Sequence, residues 1–253
     1  MGQEIIKTIL AQDDFVLVGA ADTRGQGQDV GYITGSARVG IDISGPLDLE
    51  ILRSSQADIL VDFTNPQSVL KNAKVAIVAG VVPVIGTSGL DEAEISEIQA
   101  LVYKEGVGAF IASNFAIGAI LMMRFAREAA KYFSHIEIIE LHHDQKLDAP
   151  SGTALKTAEW ISQVREPMVQ GHPNEYEKIA GARGADLGGI HIHSVRLPGL
   201  MAHQEIIFGG LGQALTIRHD AFTRETYMPG VMLAIRKAFK LTSLIIGLEN
   251  FLD

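Results

Sequence analysis

The chain has no cysteine. That excludes disulfides, zinc–thiolate centres and cysteine nucleophiles, and it suits a reducing cytoplasm. Positive charge is scarce: 21 Lys and Arg stand against 30 Asp and Glu, a net charge of −9. A nucleic-acid binder needs clustered Lys and Arg to meet phosphates, so nucleic acid is not an expected partner. A small anionic substrate is compatible with this balance if positive charge gathers in a pocket. Long apolar runs are missing too. The longest, "VAIVAGVVPVIG", is broken by Gly80 and Pro83 and is too short for a bilayer; no membrane partner is expected. "MGQEIIKTIL" lacks the basic-then-apolar order of a secretory signal. Ile6 stands where a myristoylation pattern wants Ser or Thr. No HExxH or comparable metal spacing occurs, and no G-x-S-x-G elbow supports a serine triad. The absences leave a cytoplasmic protein without a metal.

What is present is apolar pattern. At 253 residues and 47% hydrophobic, the chain can build one large or two modest domains. In the first half, short β-branched runs alternate with helical ones. "FVLVGAAD", "ADILVDFT", "VVPVIGTSG" and "VGAFIASNF" read as strands. "PQSVLKNAKVAIVAG" reads as a helix with Pro66 in its first turn and Gly80 past its end, and "LDEAEISEIQALVYKEG" as an amphipathic helix. This alternation predicts a parallel sheet covered on both faces. After Asn114 the pattern changes to a long helix, "AIGAILMMRFAREAAKYF", and then strands in succession: "SHIEIIELHH", "GGIHIHSVRL", "HQEIIFGG" and "QALTIRHD". Successive strands predict a mixed or antiparallel sheet in a second, α+β domain. "TRETYMPGVMLAIRKAF" closes as a helix.

Ligands of open parallel sheets bind beyond the carboxyl ends of the strands. Three such ends carry suitable residues: Asp22, where an acid accepts from ribose hydroxyls; Gly86-Thr87-Ser88, where the backbone allows close approach; and Ala112-Ser113-Asn114-Phe115. Together they predict a Rossmann-like nucleotide domain. Such a domain opens with a strand and a glycine-rich turn. Here only Met1-Gly2 precedes the first helical run.

The densest chemistry lies in "ELHHDQKLDAPSGTAL", residues 140–155. On a strand His142 and His143 face opposite sides, so they do not chelate one metal. Pro150 keeps Ala149 extended, and Ser151 or Thr153 then caps the helix that follows. Its first amides and dipole make a site for carboxylate. Imidazole and the Lys146 ammonium beside it are proton donors near neutral pH. A carboxylate clamp beside proton donors suits a reductase pocket. His191, His193 and His203 read as sheet residues, and Lys178 and Arg183 as surface charge within reach of a substrate.

This stretch resembles the E-x-H-H-x-x-K-x-D-A-P-S-G-T-A signature of the 4-hydroxy-tetrahydrodipicolinate reductase (dihydrodipicolinate reductase) family. "VDFTNP", "VIGTSGL" and "SNFAIG" resemble the family's strand-end segments in the same order. The resemblance implies reduction of a cyclic dicarboxylate by NADPH or NADH in lysine and diaminopimelate biosynthesis. It implies His142 and Lys146 as catalytic residues, and His143, Ser151, Gly152 and Thr153 as substrate ligands. Asp22, Gly86, Thr87, Ser88, Ala112, Ser113, Asn114, Phe115, Arg224 and Tyr227 would line the cofactor. It further implies a homotetramer built through the second domain's sheet. The expected division is a dinucleotide domain over 1–115 and 224–253, with a substrate and oligomerisation domain over 116–223. Asp22 disfavours a 2′-phosphate and Arg24 offsets it, so the choice between NADH and NADPH stays open.

Against the family pattern, the first strand and most of the glycine turn are missing. A central strand contributes ~8 hydrogen bonds at ~1 kcal/mol each, comparable with a domain's net stability of roughly 5–15 kcal/mol. The expectation is therefore a member lacking an N-terminal segment. Two alternatives accompany the reductase: a truncated, catalytically impaired nucleotide-binding homologue or regulator, and a homoserine- or sugar-type dehydrogenase. The anion clamp from His142 to Thr153 speaks against the last.

Overall fold

A computed structural model describes residues 1–252, and the chain divides into two units: residues 1–116 with those from Tyr227 onward, and Ile117–Thr226. The first unit begins with α1 (Gly2–Leu10), β1 (Ala20–Ala21), α2 (Val30–Thr34), β2 (Ile43–Ser44) and α3 (Leu49–Ser55). It continues with β3 (Ile59–Asp62), α4 (Pro66–Ala79), β4 (Val82–Ile85), α5 (Glu92–Glu105) and β5 (Ala109–Ile111). The second contains α6 (Ile117–Ala129), β6 (His135–His142), α7 (Gly152–Ser162), β7 (Ala185–Asp186), β8 (His191–Arg196), β9 (Ala202–Gly210) and β10 (Gln213–Ala221). A 3-10 turn, Arg224–Tyr227, leads back to α8 (Met228–Ala238) and β11 (Leu244–Ile246) of the first unit. Among the described residues, no helix is long and apolar enough to cross a membrane.

In the first unit local chemistry sets the helix ends. Asn65 caps α4, with Pro66 in its first turn, and Asp91 and Glu94 form a reciprocal capping box on α5. Gly80 and Gly106 end these helices in the left-handed conformation that glycine adopts without strain. The sheet they pack against is wholly parallel, in the order β11-β5-β4-β3. Every residue of β4 is buried, as a strand covered on both faces requires. Val69, Ile77, Ile98 and Val102 pack from the helices against Ile85 and Ile111.

β1 and β2 form a separate two-residue parallel ladder. The strand expected over "FVLVGAAD" is thereby cut to Ala20–Ala21, and Val16 stays 83% exposed. A strand holds its form where its N–H and C=O groups meet a neighbour; the ladder engages only Ala20 and Ala21. β11, which pairs with β5, was not anticipated, because "LII" is too short to signal a strand by alternation.

The second unit has a mixed five-stranded sheet in the order β10-β9-β6-β8-β7, with β6 and β8 parallel and the other pairs antiparallel. One face is apolar at one end and polar at the other. Phe208 pairs with Ile136, then Ile206, Ile138 and Ile192 align. The next rows are Gln204, Glu140 and Ser194, and then Ala202, His142 and Arg196.

The long connection after α7 is held down by Arg165, itself only 6% exposed. Its guanidinium donates to the carbonyls of Ser134 (2.7 Å), Gly188 (3.1 Å) and Gly189 (3.1 Å). Arg183 adds ion pairs to Glu137 (2.7 Å) and Glu175 (2.6 Å). Removing a buried donor leaves its acceptors unpaired. Arg165→Ala is expected to cost about 3 kcal/mol, read as a lower urea midpoint with an unchanged m-value.

Candidate active site

In the first unit the ends of β3 and β4 are joined by one buried carboxylate. Asp62 Oδ1 accepts from the Thr64 N–H (3.0 Å), the Thr64 hydroxyl (2.8 Å) and the Thr87 hydroxyl (2.7 Å). Its Oδ2 accepts from Asn72 Nδ2 (2.8 Å). The turn Gly86-Thr87-Ser88 is therefore fixed from below, with Thr87 buried and Ser88 exposed. Gly86 has no alternative at this spot: a Cβ there would lie 2.2 Å from the Phe63 ring. Phe63 in turn packs on Phe115, with ring centroids 5.2 Å apart. The Ala112 N–H donates to the Ile85 carbonyl (2.9 Å), and Asn114 Oδ1 accepts from the Ala116 N–H (2.9 Å). Gly86, Thr87, Ala112 and Phe115 thus form one framework, with Ser113 exposed and Asn114 half-buried.

Asp22 belongs to the β1–β2 ladder instead. It is exposed, and its Oδ1 accepts from the Arg24 N–H (2.8 Å). Arg224 is exposed in the 3-10 turn, and Tyr227, half-buried, begins the return to the first unit. These strand-end backbones and the exposed acid are chemically suited to a nicotinamide nucleotide.

In the second unit Glu140 is fully buried. It lies 2.5 Å from His142 Nδ1, and it accepts from both terminal nitrogens of Arg196 (2.8 and 2.7 Å) and from the Ser151 N–H (3.2 Å). Ser151, also buried, caps α7 by accepting the Ala154 N–H (3.2 Å). Arg196 reaches on to the Asp148 carbonyl (2.8 Å), and Lys146 pairs with the Asp148 carboxylate (2.6 Å). His142, Lys146, Ser151 and the start of α7 are thereby tied into one network. His143 follows β6 and is exposed, as is Gly152; Thr153 is half-buried in the first turn of α7, its carbonyl taking the Thr157 hydroxyl (2.7 Å). The Ala149–Pro150 peptide bond is cis.

Burial pushes Glu140 towards protonation, but Arg196, the Ser194 hydroxyl and His142 outweigh it and hold the carboxyl below its ordinary value. Burial lowers the His142 imidazole; Glu140 opposes this, while Lys146 and Arg196 add to it, and the net shift is downward. The core-facing charge was legible in principle. Alternation from Ile136 and Ile138 puts Glu140 and His142 on the buried face of β6, and neither Glu140 nor Arg196 was singled out from sequence. Asp62 was passed over for the same reason, as the last residue of an apolar strand.

Both depressed values act in one direction. The stability they confer is present above the unfolded pKa and is lost as pH falls through the folded one. Arg196→Ala removes the main group holding Glu140 down. We expect a loss of about 3 kcal/mol at neutral pH, and an acid unfolding transition that begins at higher pH than in the wild type, followed by circular dichroism.

Comparison with known proteins places these features in context. The family model described as dihydrodipicolinate reductase, N-terminus, matches residues 1–115, and the one described as its C-terminus matches residues 118–252. The 4-hydroxy-tetrahydrodipicolinate reductase of Desulfitobacterium hafniense is 73% identical over 253 residues, 100% of this chain and 95% of the relative. That of Syntrophomonas wolfei is 54% identical, covering 100% and 94%. A dipicolinate-bound dihydrodipicolinate reductase from Paenisporosarcina sp. TG-14 superposes with a TM-score of 0.87 at 44% identity, over 99% of this chain and 95% of that one.

These matches correct the expectation of a truncated family member, since they run over the whole of the chain and nearly all of each relative.

Proposed function

The chain belongs to the dihydrodipicolinate reductase family, and from that premise we infer that it reduces 4-hydroxy-tetrahydrodipicolinate to tetrahydrodipicolinate with NAD(P)H, in lysine and diaminopimelate biosynthesis. The observation that carries this reading is the Glu140 network, which ties the His142 imidazole, the Lys146–Asp148 pair and the capped start of α7 together. The solved relative that binds dipicolinate, itself a ring dicarboxylate, supports the substrate class.

In this reading the first unit is the dinucleotide domain, and the bound nicotinamide supplies the hydride. Asp22, Gly86, Thr87, Ser88, Ala112, Ser113, Asn114, Phe115, Arg224 and Tyr227 hold the cofactor. The second unit binds the substrate. The amides of Gly152 and Thr153, at the positive end of α7, take a carboxylate together with His143 and Ser151. His142 and Lys146 are the proton donors. Reduction with loss of water consumes a proton, and a positioned acid supplies it where charge develops. Such help is worth ~10²–10⁴ in rate.

Ile139, Leu141, Val195 and Ile207 lie half-exposed on the sheet face opposite Glu140. A homotetramer through this face would cover them. A cytoplasmic location belongs to the same reading.

His142→Gln and Lys146→Ala are each expected to lower kcat by ~10²-fold or more, with cofactor affinity and thermal unfolding near wild type. Oxidation of NADPH, followed by absorbance with enzymatically generated substrate, measures this, and near-normal turnover in either variant removes that residue from acid catalysis. Asp22 with Arg24 two residues on predicts that both nucleotides bind, with dissociation constants within about tenfold of each other. Paired fluorescence titrations with NADH and NADPH check that expectation.

A further inference from the structure

Glu140 touches neither of the groups assigned to catalysis except through the back of one imidazole, and that contact defines its part. We propose that Glu140 is the positioning residue of His142: it holds the Nδ1 proton, so that Nε2 is the nitrogen that exchanges a proton with the substrate. The inference rests on the reading of His142 as an acid.

The geometry leaves the carboxylate little freedom. It is fully buried, gripped by both terminal nitrogens of Arg196 at 2.8 and 2.7 Å, and anchored to the Ser151 N–H at 3.2 Å. An ionised carboxylate only accepts hydrogen bonds. The nitrogen 2.5 Å from it must therefore be the protonated one. A neutral imidazole has a single N–H, which leaves Nε2 as the acceptor.

Charge bears on the same contact. The groups that act on the imidazole are Glu140 on its own strand, Arg196 from β8 and Lys146 from the following loop. On β9 its neighbour is Ala202, and from α7 the cap is Ser151, both uncharged. Glu140 is the one anion among these, set against a pair of cations and burial, all of which disfavour the imidazolium. Without it nothing among these groups would oppose the downward shift of the His142 imidazole. The same carboxylate fixes the start of α7 through Ser151, so proton donor and carboxylate clamp share one anchor.

The test uses the intact protein with 15N-labelled histidine, the His142 signals being assigned by their loss in His142→Gln. In the wild type, neutral His142 is expected as the Nδ1–H tautomer. In Glu140→Gln the alkaline fall of kcat/KM is expected at least about one pH unit lower, with kcat reduced about 10²-fold near pH 8. A simple structural role for Glu140 would lower the amplitude without moving that limb. An Nε2–H tautomer in the wild type, or an unmoved limb in a folded Glu140→Gln, overturns the inference. If Glu140→Gln does not fold, the wild-type tautomer decides alone. Near-normal turnover in His142→Gln would instead sink the underlying reading, whereas an inactive His142→Gln with an unmoved limb in Glu140→Gln sinks only this one.

Discussion

A carboxylate can be ionised inside a protein only if donors replace the water it gives up. Glu140 meets that condition by drawing its donors from three places: β6 through His142, β8 through Arg196, and the start of α7 through Ser151. None of these can shift alone without leaving the charge unpaired. The register of β6 against β8 is pinned by it, since sliding by one residue would carry Arg196 to the other face of the sheet. The position of α7 follows, because its cap residue donates to the same carboxylate. What the site needs chemically, an imidazole of known tautomer beside a helix N-terminus, comes from satisfying a buried charge.

The first unit solves a similar problem with Asp62. There the donors are hydroxyls, a backbone N–H and an amide instead of a guanidinium, and they tie the end of β3 to the turn after β4. Each unit thus carries a buried acid where its sheet gives way to turns, and each acid orders residues far from it in sequence. The Asp62 arrangement holds a backbone shape and the Glu140 arrangement also sets a proton's position, which is why a cation is indispensable only in the second.

Much of this was legible before coordinates. α4, α5, α6 and β6 announce themselves by caps, period and glycine stops, and the stretch from His142 to Thr153 concentrates titratable groups so densely that its chemistry shows in one line. The partners of those groups do not. Arg196 lies 56 residues from Glu140 along the chain, and only strand pairing brings them together. Asp62 reaches Thr87 across 25 residues in the same way. Sequence reading sees spacing along one element, so it finds groups clustered in one stretch and misses the distant partners that hold them. The short β1 fails for a related reason: its apolar run is real, but strand length is decided by the neighbour, which offers only Ile43 and Ser44.

The acidic bias of the chain gains its meaning from these networks. With net charge −9, a dicarboxylate would be repelled unless cations were gathered locally. Arg196 and Lys146 are the cations of the Glu140 network, yet each is already paired, with Glu140 and with Asp148. The Arg196–Glu140 pair is nearly neutral as a unit, so Arg196 adds orientation more than attraction. Lys146 differs, because its partner Asp148 is 64% exposed and the pair is open to solvent. Exchanging that carboxylate for one on a ligand would forfeit little, as exposed ion pairs contribute only about 0–1 kcal/mol. The two cations are equally shielded, each side chain being 19% exposed, and what separates them is the partner: Glu140 is fully buried, whereas the Asp148 carboxylate is open to solvent.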